Sequence, residues 1–596
     1  MQITNSNRKK TGFLGCSRHA ASVRSWTLAS ILILCLPAIA GPAPFAHGVV
    51  FFCPPDGDSA IAELQKILAD GYNLVEFASW PWTLPKPGGR LETTATAVLN
   101  WCDAHEMRFF LMHNIQYDNL DGAYANPMGA AGLLTDWLRV LKGHPCAAGV
   151  ILGNEVGPTP GSPGKNPKWW AGFITELKNR HTSIQSLNTA WETHYADFAE
   201  VMPPKAGSPG RVDYDRFAVT VFDRFYGALF RQVCEPALGR LLYAPKTSGD
   251  PLLQRACESF SMICWDDALS DYPQWRVKAM GDVSRMTGKP AFNAELHLYH
   301  DTYAYFGSPA KSRYRYFLSA LNGEWASASF AYGQWTKPQT LNTHQATPGI
   351  LADLRRLEAP LRAFNEATPQ LHVVLSGPET SNDTIMQRLY TEFANLGCSW
   401  EYVCPQDIAR LTTGAVYLPE NTCLPRDSCQ ALADLPHNVR IVFAERNALA
   451  DDYGHPVPRP LLEKIVQRAC HQYGVQHLIP ADEEQLTTPY TESIEASYTS
   501  WSSERGHFAY LMTYPRLEAR RVQYQQGWLV AVVNHATVGK PVTAKLPWSP
   551  GKDYHVRDLT AGGTQVRSDT PQDFQPLSVR LFRYSIGVPV PSNDTM

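Results

Sequence analysis

The chain has almost no net charge. Its 53 Lys and Arg stand against 56 Asp and Glu, a formal net charge of −3 over 596 residues, which speaks against a nucleic-acid binder with a basic face. No G-x-G-x-x-G follows the first strand-like run, "GVVFF" (48–52), so a nucleotide cofactor has no support. The cysteine spacings match no zinc pattern such as paired C-x-x-C, and neither a metal nor any other cofactor is expected. Beyond residue 40 no stretch is long and apolar enough for a membrane span, which needs roughly 20 residues. There is no internal repeat and no low-complexity segment. What is present is core: 44% of the residues are hydrophobic and 18% charged, which excludes wholesale disorder.

The exception on hydropathy is the N-terminus. Arg8, Lys9, Lys10, Arg18 and Arg24 precede an apolar run from Trp26 to Ile39 that ends in the small-residue pattern "AIA" before Gly41. Residues 1–40 read as a cleaved export signal, and the mature chain is expected to be secreted or periplasmic and free of the membrane. Of thirteen cysteines, eleven remain once Cys16 and Cys35 leave with that signal, an odd number that leaves at least one thiol free or intermolecular. Cys423 and Cys429, in "ENTCLPRDSC", are spaced to close a small disulfide in an oxidising compartment.

From residue 48 to about 360, short apolar runs alternate with amphipathic ones. The strand-like runs are "GVVFF" (48–52), "NLVEFA" (73–78), "RFFLMH" (108–113), "AGVILG" (148–153), "RLLYAP" (240–245), "FSMICW" (260–265), "PAFNAE" (290–295) and "SASFAY" (327–332). Helical patterns such as "SAIAELQKILADG" lie between them and stop at Gly. Eight such units predict a (β/α)8 TIM barrel over residues 41–365 rather than an open sheet. Residues 366–489 alternate again on a smaller scale and predict a doubly wound α/β domain. Residues 490–505, rich in Ser, Thr and Glu, read as a linker, and 506–596 as a C-terminal β-sandwich.

"GVILGNEVGP" (149–158) ends an apolar strand on an amide and a carboxylate, Asn154 and Glu155. In a parallel barrel the active site lies at the C-terminal ends of the strands. Glu155 follows the fourth strand and Glu295 ends the seventh, so both face one mouth. Two carboxyls there meet the needs of retaining glycoside hydrolysis, one donating a proton to the leaving oxygen and one attacking the anomeric carbon. Asn154, beside the first, is a partner for a sugar 2-hydroxyl. Glu76 and Glu324 are rival carboxyls, but Glu324 precedes its strand and belongs to the opposite rim. Candidate substrate contacts follow from the other strand ends: His113 and Asn114 after the third, Trp335 after the eighth, Trp80 and Trp82 after the second, Trp265 with Asp266 and Asp267 at the sixth, and His297 beside Glu295. A non-catalytic carbohydrate-binding scaffold on a degenerate barrel is the alternative from another class, and the presence of both carboxyls weighs against it.

"GYNLVEFASWPWTLPKPGGR", "HPCAAGVILGNEVG" and, at greatest length, "WWAGFITELKNRHTSIQSLNTAWETHYADFAEVMPP" resemble segments of glycoside hydrolase family 42, the β-galactosidase-type enzymes. The resemblance runs through the chain in order. It implies a catalytic barrel, an amidotransferase-like domain used for trimer assembly, and a small β domain. It also implies a glycoside or oligosaccharide substrate, Glu155 as acid/base and Glu295 as nucleophile. The chain departs from the family at Val156, where Tyr is usual, around Glu295 in "NAELHLYHD", and in lacking a four-Cys metal cluster. Within the clan chemistry, β-galactoside, α-L-arabinopyranoside, β-mannoside and β-glucuronide remain open. Cys398 in "LGCSWE" and Cys404 in "YVCPQD" lack the glycines of a nucleophile elbow, so the middle domain reads as inert.

Overall fold

A computed structural model describes the chain from Pro44 to Ile586, apart from residues 55, 80–83, 116–127, 235–240, 268–273, 299–307, 331–337, 377–382, 395–397, 445–446, 470–492, 503–505, 516, 536–540 and 547–553. The expected signal, Trp80, Trp82 and Trp335 lie outside the described residues. None of the described helices is long and apolar enough to cross a membrane.

Eight parallel strands form the barrel: β1 Ala46–Phe51, β2 Leu74–Ser79, β3 Arg108–His113, β4 Ala147–Ile151, β5 Leu242–Ala244, β6 Ile263–Asp267, β7 Ala291–His297 and β8 Glu324–Phe330. Their order is β5-β4-β3-β2-β1-β8-β7-β6. A parallel bridge between Thr247 and Trp265 links the two ends and closes the ring. Every residue of β1 and β7 is buried, as expected of strands enclosed on both faces. The fold class is the one the alternation predicts. β8 begins three residues before the apolar run that signals it, because Gly323 (φ +91°) turns the chain directly into Glu324 and buries that carboxyl at the strand start.

The connection from β4 to β5 is the longest in the barrel and carries the helices Pro167–His181, Ile184–Trp191 and Arg211–Leu229. This is the segment with the longest family resemblance. Its centre is buried Asp213, which accepts from Trp191 Nε1 at 2.9 Å, meets His181 Nε2 at 2.7 Å and accepts from Tyr453 of the next domain at 3.0 Å.

Beyond the barrel, Leu371–Val374, Trp400–Val403, Ala415–Leu418 and Arg440–Phe443 form a four-stranded parallel sheet, with the second of these outermost beside the first. Helices such as Asp383–Ala394 and Arg426–Asp434 connect its strands, as a doubly wound domain requires. The expected Cys423–Cys429 disulfide is not formed. Cys423 pairs in a two-residue strand with Ala450, while Cys429 lies inside a helix with its thiol 3.8 Å from the Leu424 carbonyl. Burial pushes the Cys404 thiol well above its ordinary range, which withholds the thiolate a nucleophile needs.

The C-terminal part is antiparallel. Leu517–Tyr524, Gly527–Asn534, Ser578–Ile586, Tyr554–Asp558 and Thr564–Val566 lie in that order in one sheet, and Val542–Ala544 pairs with Gln572–Phe574. The stretch read as a linker holds a strand instead: Ser493–Ser502 pairs with Gly506–Pro515 along its full length. Its Ser, Thr and Glu suggested solvated coil, but Ile494, Tyr498 and Trp501 are interspersed with them, and such β-branched and aromatic residues favour pairing. A buried polar lock joins the three parts: Glu518 accepts from Tyr390 Oη at 2.7 Å and meets His535 Nε2 at 2.8 Å, while Arg520 pairs with Glu518 and donates to Asn322 Oδ1 at 2.8 Å.

Candidate active site

The mouth is assembled from strand ends that sequence-distant hydrogen bonds hold in register. Gly149 in β4 lies so close to the Phe110 ring and the Leu242 carbonyl that no Cβ would fit. Past β4, a Cβ on Gly153 would meet Tyr226 Oη at 2.8 Å. That hydroxyl is committed to Ile115 O at 2.8 Å. The turn that follows is tied on both sides. Asn154 N donates to Asn114 Oδ1 at 3.1 Å, Lys246 N to Gly153 O at 2.9 Å, and Val156 N to Lys246 O at 3.0 Å. Glu155 sits at the apex, exposed, with φ +50°. For a residue with a long side chain that left-handed conformation is strained, and such strain gathers at functional sites.

In β7 an extra residue interrupts the pairing with both neighbours, so that Trp265 and Asp266 face Asn293 and Glu295, and Ser327 and Ser329 face Asn293 and Leu296. A bulge of this kind re-aims the side chains around it. Glu295, 6% exposed, faces the barrel mouth with Asp266, 3% exposed. One carboxylate oxygen from each of Glu155, Asp266 and Glu295 lies within 4.8 Å of the others.

Charge in this pocket is balanced from below. The Lys246 ammonium, buried at the end of β5, pairs with Glu295 Oε2, and His297 Nε2 stands 3.3 Å from Glu295 Oε1. Burial alone would push the Glu295 carboxyl up; Lys246 first and His297 next outweigh it and hold it down to about 2. Burial likewise opposes the Lys246 charge, and the carboxylates around it, Glu295 first, hold it on the ammonium. Glu76, in β2, is fully buried and neither of its oxygens has a hydrogen-bond partner among the described residues. Burial pushes its carboxyl up to about 8, so it keeps its proton at neutral pH despite the pull of Lys246. Glu155, Asp266 and Glu295 would also be the ligand set for a cation, but the ammonium already stands against Glu295.

The structure brings together Asn154, Glu155, Glu295 and His297 as expected. His297 also stacks on Phe330, ring centroids 4.9 Å apart. Asn114 reaches the mouth through the Asn154 backbone, and its carbonyl oxygen is spent there. His113 is fully buried. Trp265 does not line the mouth: it is fully buried with Ile263 and Trp275 in the layer outside the strands. Alternation along β6 sends Ile263 and Trp265 outward and leaves Asp266 at the mouth. Lys246 was not anticipated, and Glu76, weighed as a rival carboxyl, lies buried in β2 below the mouth. A lysine directly after the apolar run "LLYAP" carries the same signal as Asn154-Glu155 after β4, a polar residue ending a buried strand at the active rim.

No family model matches the chain, and no curated protein matches it in sequence. Solved structures do match in shape. An exo-carrageenase of glycoside hydrolase family 42 from Bacteroides ovatus superposes with a TM-score of 0.63 at 15% identity, over 92% of this chain and 83% of its own. A β-galactosidase from Bacillus circulans sp. alkalophilus does so with a TM-score of 0.64 at 12% identity, over 91% of this chain and 99% of its own. The fold is that of family 42 glycoside hydrolases. A family 42 β-galactosidase from G. stearothermophilus matches with a TM-score of 0.61 at 12% identity, over 91% of this chain and 99% of its own. The family 42 likeness thus spans the barrel, the α/β domain and the β domain together.

Proposed function

We propose that the chain is a retaining exo-glycosidase that removes terminal β-linked sugars, with Glu295 as nucleophile and Glu155 as acid/base. In the first step a Glu295 oxygen bonds to the anomeric carbon, the glycosidic C–O bond breaks, and the leaving oxygen takes the Glu155 proton. In the second, water attacks that carbon, gives a proton to Glu155, and frees the Glu295 carboxylate. The observation that carries this reading is the approach of the two carboxyls to within 4.8 Å. Retaining enzymes hold them about 5–5.5 Å apart, and inverting ones leave room for a water at about 6.5–9.5 Å. A nucleophile must be ionised, and the Lys246 and His297 contacts of Glu295 supply the reason it is. Asn154 is then the 2-hydroxyl contact.

β-Galactoside is the first substrate to test, with α-L-arabinopyranoside, β-mannoside and β-glucuronide beside it. The decisive experiment is a panel of nitrophenyl glycosides with the full chain and Glu295→Ala. Hydrolysis that disappears in the variant and returns with azide, giving a product of inverted anomeric configuration, supports the reading. No hydrolysis of any glycoside by the full chain would favour the non-catalytic scaffold. The family likeness also underlies a proposal that the α/β domain assembles the chain into a homotrimer, and a monomer at micromolar concentration by sedimentation equilibrium would refute it.

A further inference from the structure

We propose that Lys246 is the positioning residue that joins the two carboxyls of the site: its backbone fixes the turn carrying Glu155, and its ammonium holds the Glu295 carboxylate ionised and oriented. The inference rests on the assignment of Glu295 as nucleophile given above.

Lys246 touches both sides of the reaction centre. Its N–H donates to Gly153 O and its carbonyl accepts from Val156 N, so the two residues flanking Asn154-Glu155 hang on it. Its side chain, 2% exposed, runs to Glu295 Oε2. An ammonium has three donors and no acceptor, and one buried here must be satisfied by carboxylates. With Oε2 so engaged, Oε1 is the oxygen left to the His297 side of the pocket.

The groups facing Glu295 come from five strands: Glu76 on β2, Glu155 beyond β4, Lys246 beyond β5, Asp266 on β6, and His297 on β7 itself. Lys246 is the permanent cation among these. Without it, Glu295 would be buried against two other carboxyls, and both burial and like charge would drive it to take up a proton. A protonated carboxyl does not attack. Glu76 completes the arrangement: buried without a hydrogen-bond partner among the described residues, it keeps its proton and leaves the Lys246 charge to Glu295.

The test reads Glu295 directly. In the full-length chain labelled with 13C at the glutamate carboxyls, the Glu295 resonance is the one lost in Glu295→Gln. It should stay at the ionised position to below about pH 4, whereas a midpoint at the ordinary value of about 4.3 overturns the proposal. In Lys246→Met the midpoint should rise by at least about one pH unit. The acid limb of kcat/KM should move with it, and kcat should fall about 100-fold with KM changed less than about twofold. Lys246→Arg should keep Glu295 ionised and recover part of kcat. Lost activity with an unmoved Glu295 midpoint would reduce Lys246 to a structural role and sink the idea. Should Lys246→Met fail to fold, the wild-type titration and Lys246→Arg decide. Because the titration needs no turnover, an inactive wild type would remove the glycosidase reading while the Lys246–Glu295 pairing is still judged on its own.

Discussion

Glu155 and Glu295 face each other within 4.8 Å from opposite environments, one exposed on a left-handed turn and the other 6% exposed against a buried lysine. This asymmetry suits the proposed division of labour. A proton donor must be reloaded from water in every cycle, which an exposed carboxyl can do. A nucleophile must remain an anion in a water-poor pocket, which requires a fixed counter-charge.

Glu155→Gln removes the proton but keeps the shape. Aryl glycosides with activated leaving groups should keep most of their rate for glycosyl-enzyme formation, while alkyl or sugar leaving groups should lose about 100-fold or more. Equal losses for both kinds of substrate in pre-steady-state kinetics would show that Glu155 is not the donor.

The interdomain lock predicts a stability effect far from the site. Burial opposes the charge on Glu518, but Arg520, then His535, outweigh it and hold its carboxyl down to about 2 from an ordinary 4.5. A carboxyl depressed on folding stabilises above its unfolded value and loses that contribution as pH falls through its folded one. Thermal stability should therefore decline between about pH 4.5 and 2. Glu518→Gln should lose on the order of 3 kcal/mol at pH 7, because Arg520 is left buried without its carboxylate, and should show a shallower acid slope. Calorimetry at a series of pH values reads both.

Glu324 predicts the opposite sign. Burial pushes its carboxyl up to about 7, against the pull of Ser319 and Arg315. The folded state then holds a proton that the unfolded state has lost, so stability falls as pH rises from about 4.5 to 7. Glu324→Gln cannot ionise, and its stability should gain on wild type between about pH 4.5 and pH 7, by on the order of 1–3 kcal/mol. A constant difference across that range would mean that Glu324 titrates as an ordinary carboxyl.

Two helical glycines should respond in opposite ways to alanine. In the helix Gln274–Thr287, a Cβ on Gly281 would collide with the Asn322 carbonyl, a backbone atom that cannot swing aside. Gly281→Ala should destabilise by about 3 kcal/mol or yield insoluble protein. Gly132, in the helix Met128–Leu141, has nothing within 4 Å of such a Cβ, and Gly132→Ala should gain up to about 1 kcal/mol. Denaturant midpoints of the two variants give the comparison.

The barrel was legible because its strands are buried on both faces and therefore read as continuous apolar runs: "RFFLMH" is β3 residue for residue. Where polarity intrudes, the signal fails. Glu324 belongs to β8 but looks like the end of a turn, and the hairpin from Ser493 is written in Ser, Thr and Glu. The carboxyl pair was legible for the same reason the strands were, since a charged residue that ends an apolar run at the active rim has few structural uses. Lys246 carries the same local signal, but its role stayed hidden because Glu76, Asp266 and Glu295 come from three other strands and only the fold brings them to it. Trp265 misled for the converse reason: being next to Asp266 in sequence put it on the other side of the sheet.

Other left-handed residues of this chain have a folding use: Thr182 and Glu192 end helices. Glu155 ends nothing, yet it holds a backbone conformation that Gly or Asn adopts with less strain. On the proposed assignment the position is therefore written for chemistry at some expense to the fold. Under selection for heat resistance alone, residue 155 would drift toward Gly or Asn, and the chain would become a sturdier barrel without its proposed acid. Populations screened for thermal tolerance should accordingly be assayed for turnover at every round, because here the two goals pull on the same backbone torsion.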